Sequence, residues 1–370
     1  MLNLHAVMKP NGFQQDYLAS RSFFQKTVQS LPTFLLVEAL EFEHPLTGPN
    51  NESLFCDVVL LGQTATPKQV LVIISGTHGV EGLSGSAVQA DLLPELVTVL
   101  ETHPELGIVM IHALNPWGVA WLRRCDHEGI DLNRNFVDFA EPLPELEGYA
   151  QIKQACSVLN EQGYVGLKAG FSADAFNDFI AALTKGQYQD ASGLFYGGTA
   201  PSWSNKLLTN VTQHAFFQSS ERLSVIDVHT GLGPYGYGEV INDHEPNTKG
   251  FDWANRLYGD NAYAALLGES SSAPKLGLLD YFWHSLMQDR GCFITLEFGT
   301  YPVEQLISNL WFEQQYQASL AEGEVRILQA ERVVAMKNFF YPFEASWQQQ
   351  VLFRARQVVN LALVGMTKDA

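Results

Sequence analysis

Basic residues are scarce in this chain of 370 residues, where 22 Lys and Arg stand against 40 Asp and Glu for a formal charge of −18. Nucleic acids and anionic membrane surfaces bind clustered cations, so this balance argues against both as partners and requires any anion site to be local. A run of about 18 apolar residues, long enough to span a bilayer, is missing. Met1 to Ser20 carries Asn3, His5, Lys9, Gln14, Gln15 and Asp16, which leaves no continuous apolar region for a signal peptide. The four cysteines, Cys56, Cys125, Cys156 and Cys292, have no C-x-x-C spacing. Reduced thiols in a cytoplasmic protein are therefore the expectation. No G-x-S-x-G elbow occurs and no cysteine has a catalytic context, so neither a serine nor a cysteine nucleophile is indicated. Internal repeats and low-complexity segments are also lacking.

What the chain has in quantity is apolar surface: 46% of its residues are hydrophobic, enough for a large core. Its length suits one α/β unit with insertions, and we expect residues 1–370 to form a single domain. Phe13, Tyr17, Leu18, Phe23, Phe24 and Val28 recur at helical spacing, which predicts an amphipathic helix over 13–31. Strand-like runs at 33–42 and 54–61, separated by a Pro/Gly/Asn turn at 45–51, predict an antiparallel edge. Four apolar runs, at 70–74, 106–114, 223–228 and 293–298, read as strands buried on both faces, and helical patterns separate them. A helix is expected from about Leu83 to Leu96, and another from Trp347 to Leu363 should close the fold. Residues 137–220 are helical, loop-rich and aromatic, and read as an insertion rather than a separate core. The predicted fold is therefore α/β, with a mixed, mostly parallel central sheet and helices on both faces.

In such sheets ligands gather beyond the carboxyl ends of the strands. Here those ends carry His78, Asn115, His229 and Glu297. The turn after the first buried strand reads Gly76-Thr77-His78-Gly79-Val80-Glu81-Gly82. His-x-x-Glu sets an imidazole and a carboxylate about one turn apart, able to point at one ion, and Zn²⁺ accepts both donor types. Two histidines and a carboxylate would leave a tetrahedral Zn²⁺ one open position, as in catalytic sites. An ion there makes water acidic enough to react near neutral pH, and Glu297 is the candidate carboxylate to take and return the proton. Asn115 reads equally well as a turn residue before Pro116, and Asp227 as a structural residue.

His78-x-x-Glu81, Asn115-Pro-Trp-Gly118, Asp131-Leu-Asn-Arg-Asn-Phe136, Asp227-Val-His229 and Thr295-Leu-Glu297 together resemble, in order and approximate spacing, the zinc carboxypeptidase family over about residues 70–300. The resemblance implies zinc held by His78, Glu81 and His229, with Glu297 as general base and acid. It implies Asn133 and Arg134 as the holders of a substrate carboxylate, a role that suits the planar, bidentate arginine fork. Asp131 would accept a proton from the ring of His78 and fix its tautomer. An arginine that polarises the scissile carbonyl is also implied. Arg123 and Arg124 are both candidates, with Arg124 the preferred one. The family's tyrosine near the catalytic glutamate has no clear counterpart, Tyr281 and Tyr263 being the choices.

The contexts of His78 and His229 also look like the aspartoacylase and succinylglutamate desuccinylase branch of the same fold, whereas Asn135-Phe136 looks like the peptidase side. Three functions follow. They are a zinc carboxypeptidase acting on small peptides, a zinc deacylase of N-acyl amino acids, and a non-catalytic binding protein on the same scaffold; the last is disfavoured because every ligand and Glu297 are kept. Gly231-Leu-Gly233-Pro-Tyr-Gly236 matches G-x-G-x-x-G, but a strand-like run follows where a dinucleotide site needs a helix. It is read instead as a flexible loop on the rim of the site, with Tyr235 and Tyr237 as possible substrate contacts.

Overall fold

Alternation of apolar side chains along the buried strands sets the architecture. On β3 (Gln69–Ser75), Leu71 and Ile73 enter one apolar layer while Val70, Val72 and Ile74 enter the other, so the strand is covered on both faces. β4 (Leu106–His112), β8 (Gly291–Gly299) and, over residues 223–231, β5 (Arg222–Tyr235) are buried in the same way. With β1 (Leu36–Glu43), β2 (Phe55–Gly62), β6 (Gly238–Asn242) and β7 (Ala262–Ala264) they form one sheet in the order β1-β2-β4-β3-β5-β8-β6-β7. The central pairs β4/β3, β3/β5 and β5/β8 are parallel. β1/β2 and β2/β4 are antiparallel, as is β6/β8, while β6/β7 is parallel. The sheet is thus mixed and mostly parallel at its centre, and the expected antiparallel edge is there. This computed structural model describes residues 1, 2, 8, 10–321 and 324–367, so Asn3, His5 and Lys9 lie outside the described residues.

One layer packs the sheet against helices Tyr17–Gln29, Gly82–Thr102, Lys249–Tyr258 and Ala345–Thr367, and the other against Trp203–Val211 and Leu279–Met287. The first of these helices starts where Asp16 accepts from the Ala19 amide, a side-chain cap that satisfies a free N–H. Residues 137–220 contribute helices Tyr149–Cys156, Leu159–Ala169 and Ala173–Thr184. Their apolar faces, including Ile152, Leu159 and Phe179, belong to the same apolar layer as Leu306 and Leu310 of helix Val303–Ser319. Among the described residues no helix is long and apolar enough to cross a membrane. Cys56, Cys125, Cys156 and Cys292 are buried free thiols.

A strand end and an extra strand are among the departures from the sequence reading. β5 does not stop before His229 but runs through it to Tyr235, because hydrogen bonding to β8 continues through Gly231↔Gly299 and resumes, after a bulge, at Tyr235↔Gly299. The stretch 231–235 therefore belongs to an irregular strand end rather than to a free loop. The extra strand β7 is three residues long, too short to carry an alternation pattern.

Beyond β3 the chain turns at Gly76, with φ +76°, and forms a 3₁₀ turn over Gly79–Glu81. That turn lies directly on the backbone of 118–124: the Gly79 amide donates to the Arg124 carbonyl at 3.1 Å and the Val80 amide to the Arg123 carbonyl at 2.8 Å. A Cβ on Gly79 would stand 2.1 Å from the Gly118 carbonyl carbon and 2.5 Å from the Arg123 oxygen, both backbone atoms. Gly79→Ala should accordingly destabilise the protein by at least the ~1–3 kcal/mol typical of overpacking. Thermal unfolding measures this, and an unchanged Tm would show that the turn is free to shift.

Candidate active site

His78 precedes the 3₁₀ turn and Glu81 ends it, and His229 lies on β5 in register with Glu297 of β8. Residues paired on neighbouring strands project to the same face, so sheet pairing itself sets His229 beside Glu297. One donor atom each from His78, Glu81 and His229 lies within 4.8 Å of the others, and all three residues are buried. Ligand bonds of about 2.1 Å in a tetrahedron hold ligand atoms roughly 3.4 Å apart. His229 Nδ1 and Glu81 Oε2 stand at 3.4 Å. A borderline divalent cation thus fits this donor set.

The surrounding groups orient those donors. His229 Nε2 donates to Asp227 Oδ2 at 2.6 Å, which leaves Nδ1 as the nitrogen that faces Glu81, and Asp227 also accepts from the Thr77 hydroxyl at 2.9 Å. Burial works against charge on His229, but Asp227 and then Glu81 outweigh it and hold its pKa well above the usual imidazole value. Glu81 Oε2 accepts the Thr230 amide at 3.0 Å. His78 is the opposite case: burial, then Arg124 and His229, push its pKa well down. Its Nδ1 is 3.3 Å from Asp131 Oδ1 but has no hydrogen-bond partner among the described residues, so the expected hydrogen bond from the His78 ring to Asp131 is not formed. The Asp131 oxygens instead accept the Asn133 amide at 3.1 Å and Arg124 Nε at 3.0 Å.

The two neighbouring arginines part company. Arg124 lines the cavity with Nη2 2.7 Å from His78 Nε2 and Nη1 3.3 Å from Glu81 Oε1. Arg123, expected as the alternative, does not face the cavity: its Nε donates to Glu313 at 2.8 Å and its Nη2 to Gln314 at 2.9 Å, in a buried ion pair that ties the turn to helix Val303–Ser319. Glu297 also lines the cavity and accepts the Leu232 amide at 3.0 Å. Burial, then the charge of Glu81, raises its pKa to about 7 against the opposing pull of His229.

Arg134 and Asn133 line the same cavity. The Arg134 fork is anchored by Nη1 to the Asn133 carbonyl at 2.6 Å and by Nη2 to the Thr184 carbonyl at 2.7 Å, while Nε is buried without a partner among the described residues. Donor capacity therefore remains for a ligand. Asn133 Oδ1 accepts the Leu279 amide at 2.7 Å. The 137–220 stretch supplies Ile180, Thr184 and Phe195 to the wall, so it shapes the site directly. The ring of Phe195 lies 5.6 Å from the Arg124 guanidinium and 5.4 Å from that of Arg134.

Three further charged lining residues, Asp243, Lys275 and Asp280, escaped the sequence reading. Asp243 follows β6, so the strand-end argument could have reached it. An acid in a helix's first turn, as Asp280 is, reads simply as a favourable partner for the helix N-terminus, and Lys275 has no signal in its Ser/Ala/Pro loop. Asn115 caps helix Pro116–Ala120 through Gly118 at 2.9 Å and is not in the cavity wall. Tyr281 donates to the Lys275 carbonyl and the Tyr263 hydroxyl pairs with that of Tyr237; none of the three lines the cavity. Ser86, His112 and Asp57 imitate a hydrolytic triad, with Ser86 Oγ 2.9 Å from His112 Nε2 and His112 Nδ1 3.5 Å from Asp57. All three are buried, Asp57 is spent on Arg21, and the His112 ring is stacked on Phe24, so this is core structure.

A family model described as "Protein of unknown function (DUF2817)" matches residues 13–354. The chain belongs to this DUF2817 family. No curated protein matches the DUF2817 chain. Its fold is similar to that of carboxypeptidase A from Helicoverpa armigera, at 12% identity and TM-score 0.50, covering 96% of this chain and 75% of that one. Bovine thrombin-activatable fibrinolysis inhibitor in complex with tick carboxypeptidase inhibitor is similar at 12% identity and TM-score 0.47, over 94% and 97% of the two chains. An aspartoacylase family protein from Mesorhizobium loti follows at 14% identity and TM-score 0.36, over 75% and 67%. The likeness at such identities is one of fold, and the fold is the carboxypeptidase-like α/β one.

Asp227 orients His229, one of the three candidate donors. Asp227→Asn should weaken metal affinity by about 10–100-fold, as loss of such orienting partners does. Competition with a chromophoric chelator reads the affinity, and an unchanged value would remove Asp227 from the metal site.

Proposed function

We propose that this DUF2817 protein is a zinc-dependent hydrolase that cleaves an amide or peptide bond next to a free carboxylate. The observation that carries this reading is that His78, Glu81 and His229 share one cavity with Glu297, Arg124, Asn133 and Arg134. Zinc, when bound, supplies Lewis-acid polarisation and makes water acidic near neutral pH. Glu297 takes the proton of the attacking water and returns it to the leaving nitrogen. Arg124, directed at the metal donors, steadies the negative charge that develops on the carbonyl oxygen, and Arg134 with Asn133 holds the substrate's carboxylate. Asp131 keeps Arg124 in place.

The acyl side of the bond favours a peptide over a small acyl group. A groove lined by Tyr235, Tyr301 and Pro302 shares Gly231, Leu232 and Val303 with the cavity, so a chain entering the cavity has somewhere to continue. Tyr235 and Tyr301 both donate to Glu344 at 3.1 Å, which fixes that rim. The carboxypeptidase reading is therefore preferred to the N-acyl amino-acid deacylase.

Glu297→Gln keeps the side chain's size but removes the base, and turnover should fall by about 10²–10⁴ with zinc still bound. Near wild-type turnover would give the proton to another residue. The carboxylate requirement is tested by comparing dipeptides with their carboxyl-amidated analogues. The acid should be the far better substrate, and Arg134→Ala should erase most of the difference; equal kcat/KM for acid and amide in the wild type would overturn the reading.

A further inference from the structure

The wall beside the carboxylate clamp carries more charge than hydrolysis uses. Asp243 at the end of β6, Lys275 in the loop before helix Leu279–Met287, and Asp280 in that helix's first turn all line the cavity. Because Asn133 Oδ1 accepts the Leu279 amide, this wall joins the clamp itself. Whatever residue has its carboxylate on Arg134 must turn its side chain past these groups.

Asp280 is 3% exposed, and its Oδ2 has no hydrogen-bond partner among the described residues. A buried carboxylate oxygen left unpaired is costly, more so beside a second acid. Burial and then Asp243 push the Asp280 carboxyl well up, and burial raises Asp243 as well. Lys275 makes no ion pair among the described residues; its ammonium donates to the Ser272 hydroxyl and, at 2.8 Å, to the Ala273 carbonyl. A cationic side chain entering here would meet Lys275 and Arg134, and an anionic one would meet Asp243 and Asp280. A group with both charges satisfies each side, which neither simple ion does.

We propose that the pocket is specific for a leaving residue whose side chain ends in both an ammonium and a carboxylate, the ammonium taken by Asp280 with Asp243 and the carboxylate by Lys275. This rests on the reading of Arg134 as the clamp for the residue's first carboxylate, and it adds the class of residue released.

The test uses zinc-loaded protein and four alanyl dipeptides ending in leucine, lysine, glutamate or 2,6-diaminopimelate, together with calorimetric binding of the four free amino acids. The diaminopimelate dipeptide should exceed each of the others in kcat/KM by roughly 10-fold or more, the effect of one good charged hydrogen bond, and free diaminopimelate should bind tightest. Lys275→Met should shift preference toward lysine and Asp280→Asn toward glutamate, while Lys275→Arg, which keeps the charge, should retain the wild-type order. Equal or better use of leucine, or variants that slow all four substrates by one common factor, would overturn the proposal. Selective binding of diaminopimelate without cleavage of any dipeptide would uphold the pocket and refute the hydrolase. Cleavage with no preference would do the reverse.

Discussion

Backbone-on-backbone contact between the Gly79 turn and the 118–124 segment is the constraint on which the site depends. It leaves no space for a side chain at Gly79, and through the Arg123 and Arg124 carbonyls it locks the position of the turn that presents His78 and Glu81. The same segment delivers the Arg124 side chain to His78 and Glu81 and sends the Arg123 side chain the other way, into Glu313 and Gln314. Parallel pairing of β5 with β8 then brings His229 and Glu297 to the same place from the other direction. The donor set is thus rigid because main-chain contacts, rather than long side chains, define it.

Charge tells a second story. A chain of formal charge −18 places Arg124, Arg134 and Lys275 around one cavity. Surface charges are screened beyond about 8 Å at physiological salt, so groups inside the cavity dominate the potential there. Arg134 is held by carbonyls of its own neighbour and of Thr184 rather than by a carboxylate, an arrangement that keeps its charge unspent. Arg123, also fully buried, is neutralised by Glu313 and serves packing. Two buried arginines of equal composition therefore play different parts, and their partners decide which.

The central strands, their order of burial and the residues at their carboxyl ends were legible because parallel strands leave continuous apolar runs that stop where polar chemistry begins. His78, Glu81, His229 and Glu297 could be read that way, and the structure brings them into one cavity. The preference for Arg124 over Arg123 is slight in the sequence, since adjacent residues differ only in the backbone torsions that follow a turn, and Arg124 is the one that lines the cavity. The end of β5 was misplaced because its glycines resemble a loop, while its pairing depends on β8, some 60 residues later. Lys275 and Asp280 were missed for a related reason: their meaning comes from cavity walls assembled from distant segments, and no local periodicity marks them.

The central claim is that His78, Glu81 and His229 form the first coordination shell of a zinc ion. X-ray absorption spectroscopy of the zinc-loaded protein tests it most directly. The account predicts one zinc per chain with two imidazoles, no sulfur, and remaining ligation by oxygen, a pattern lost in a His78→Ala, His229→Ala double variant. Sulfur scattering from a cysteine, or an unaltered spectrum at full occupancy in that variant, would contradict it.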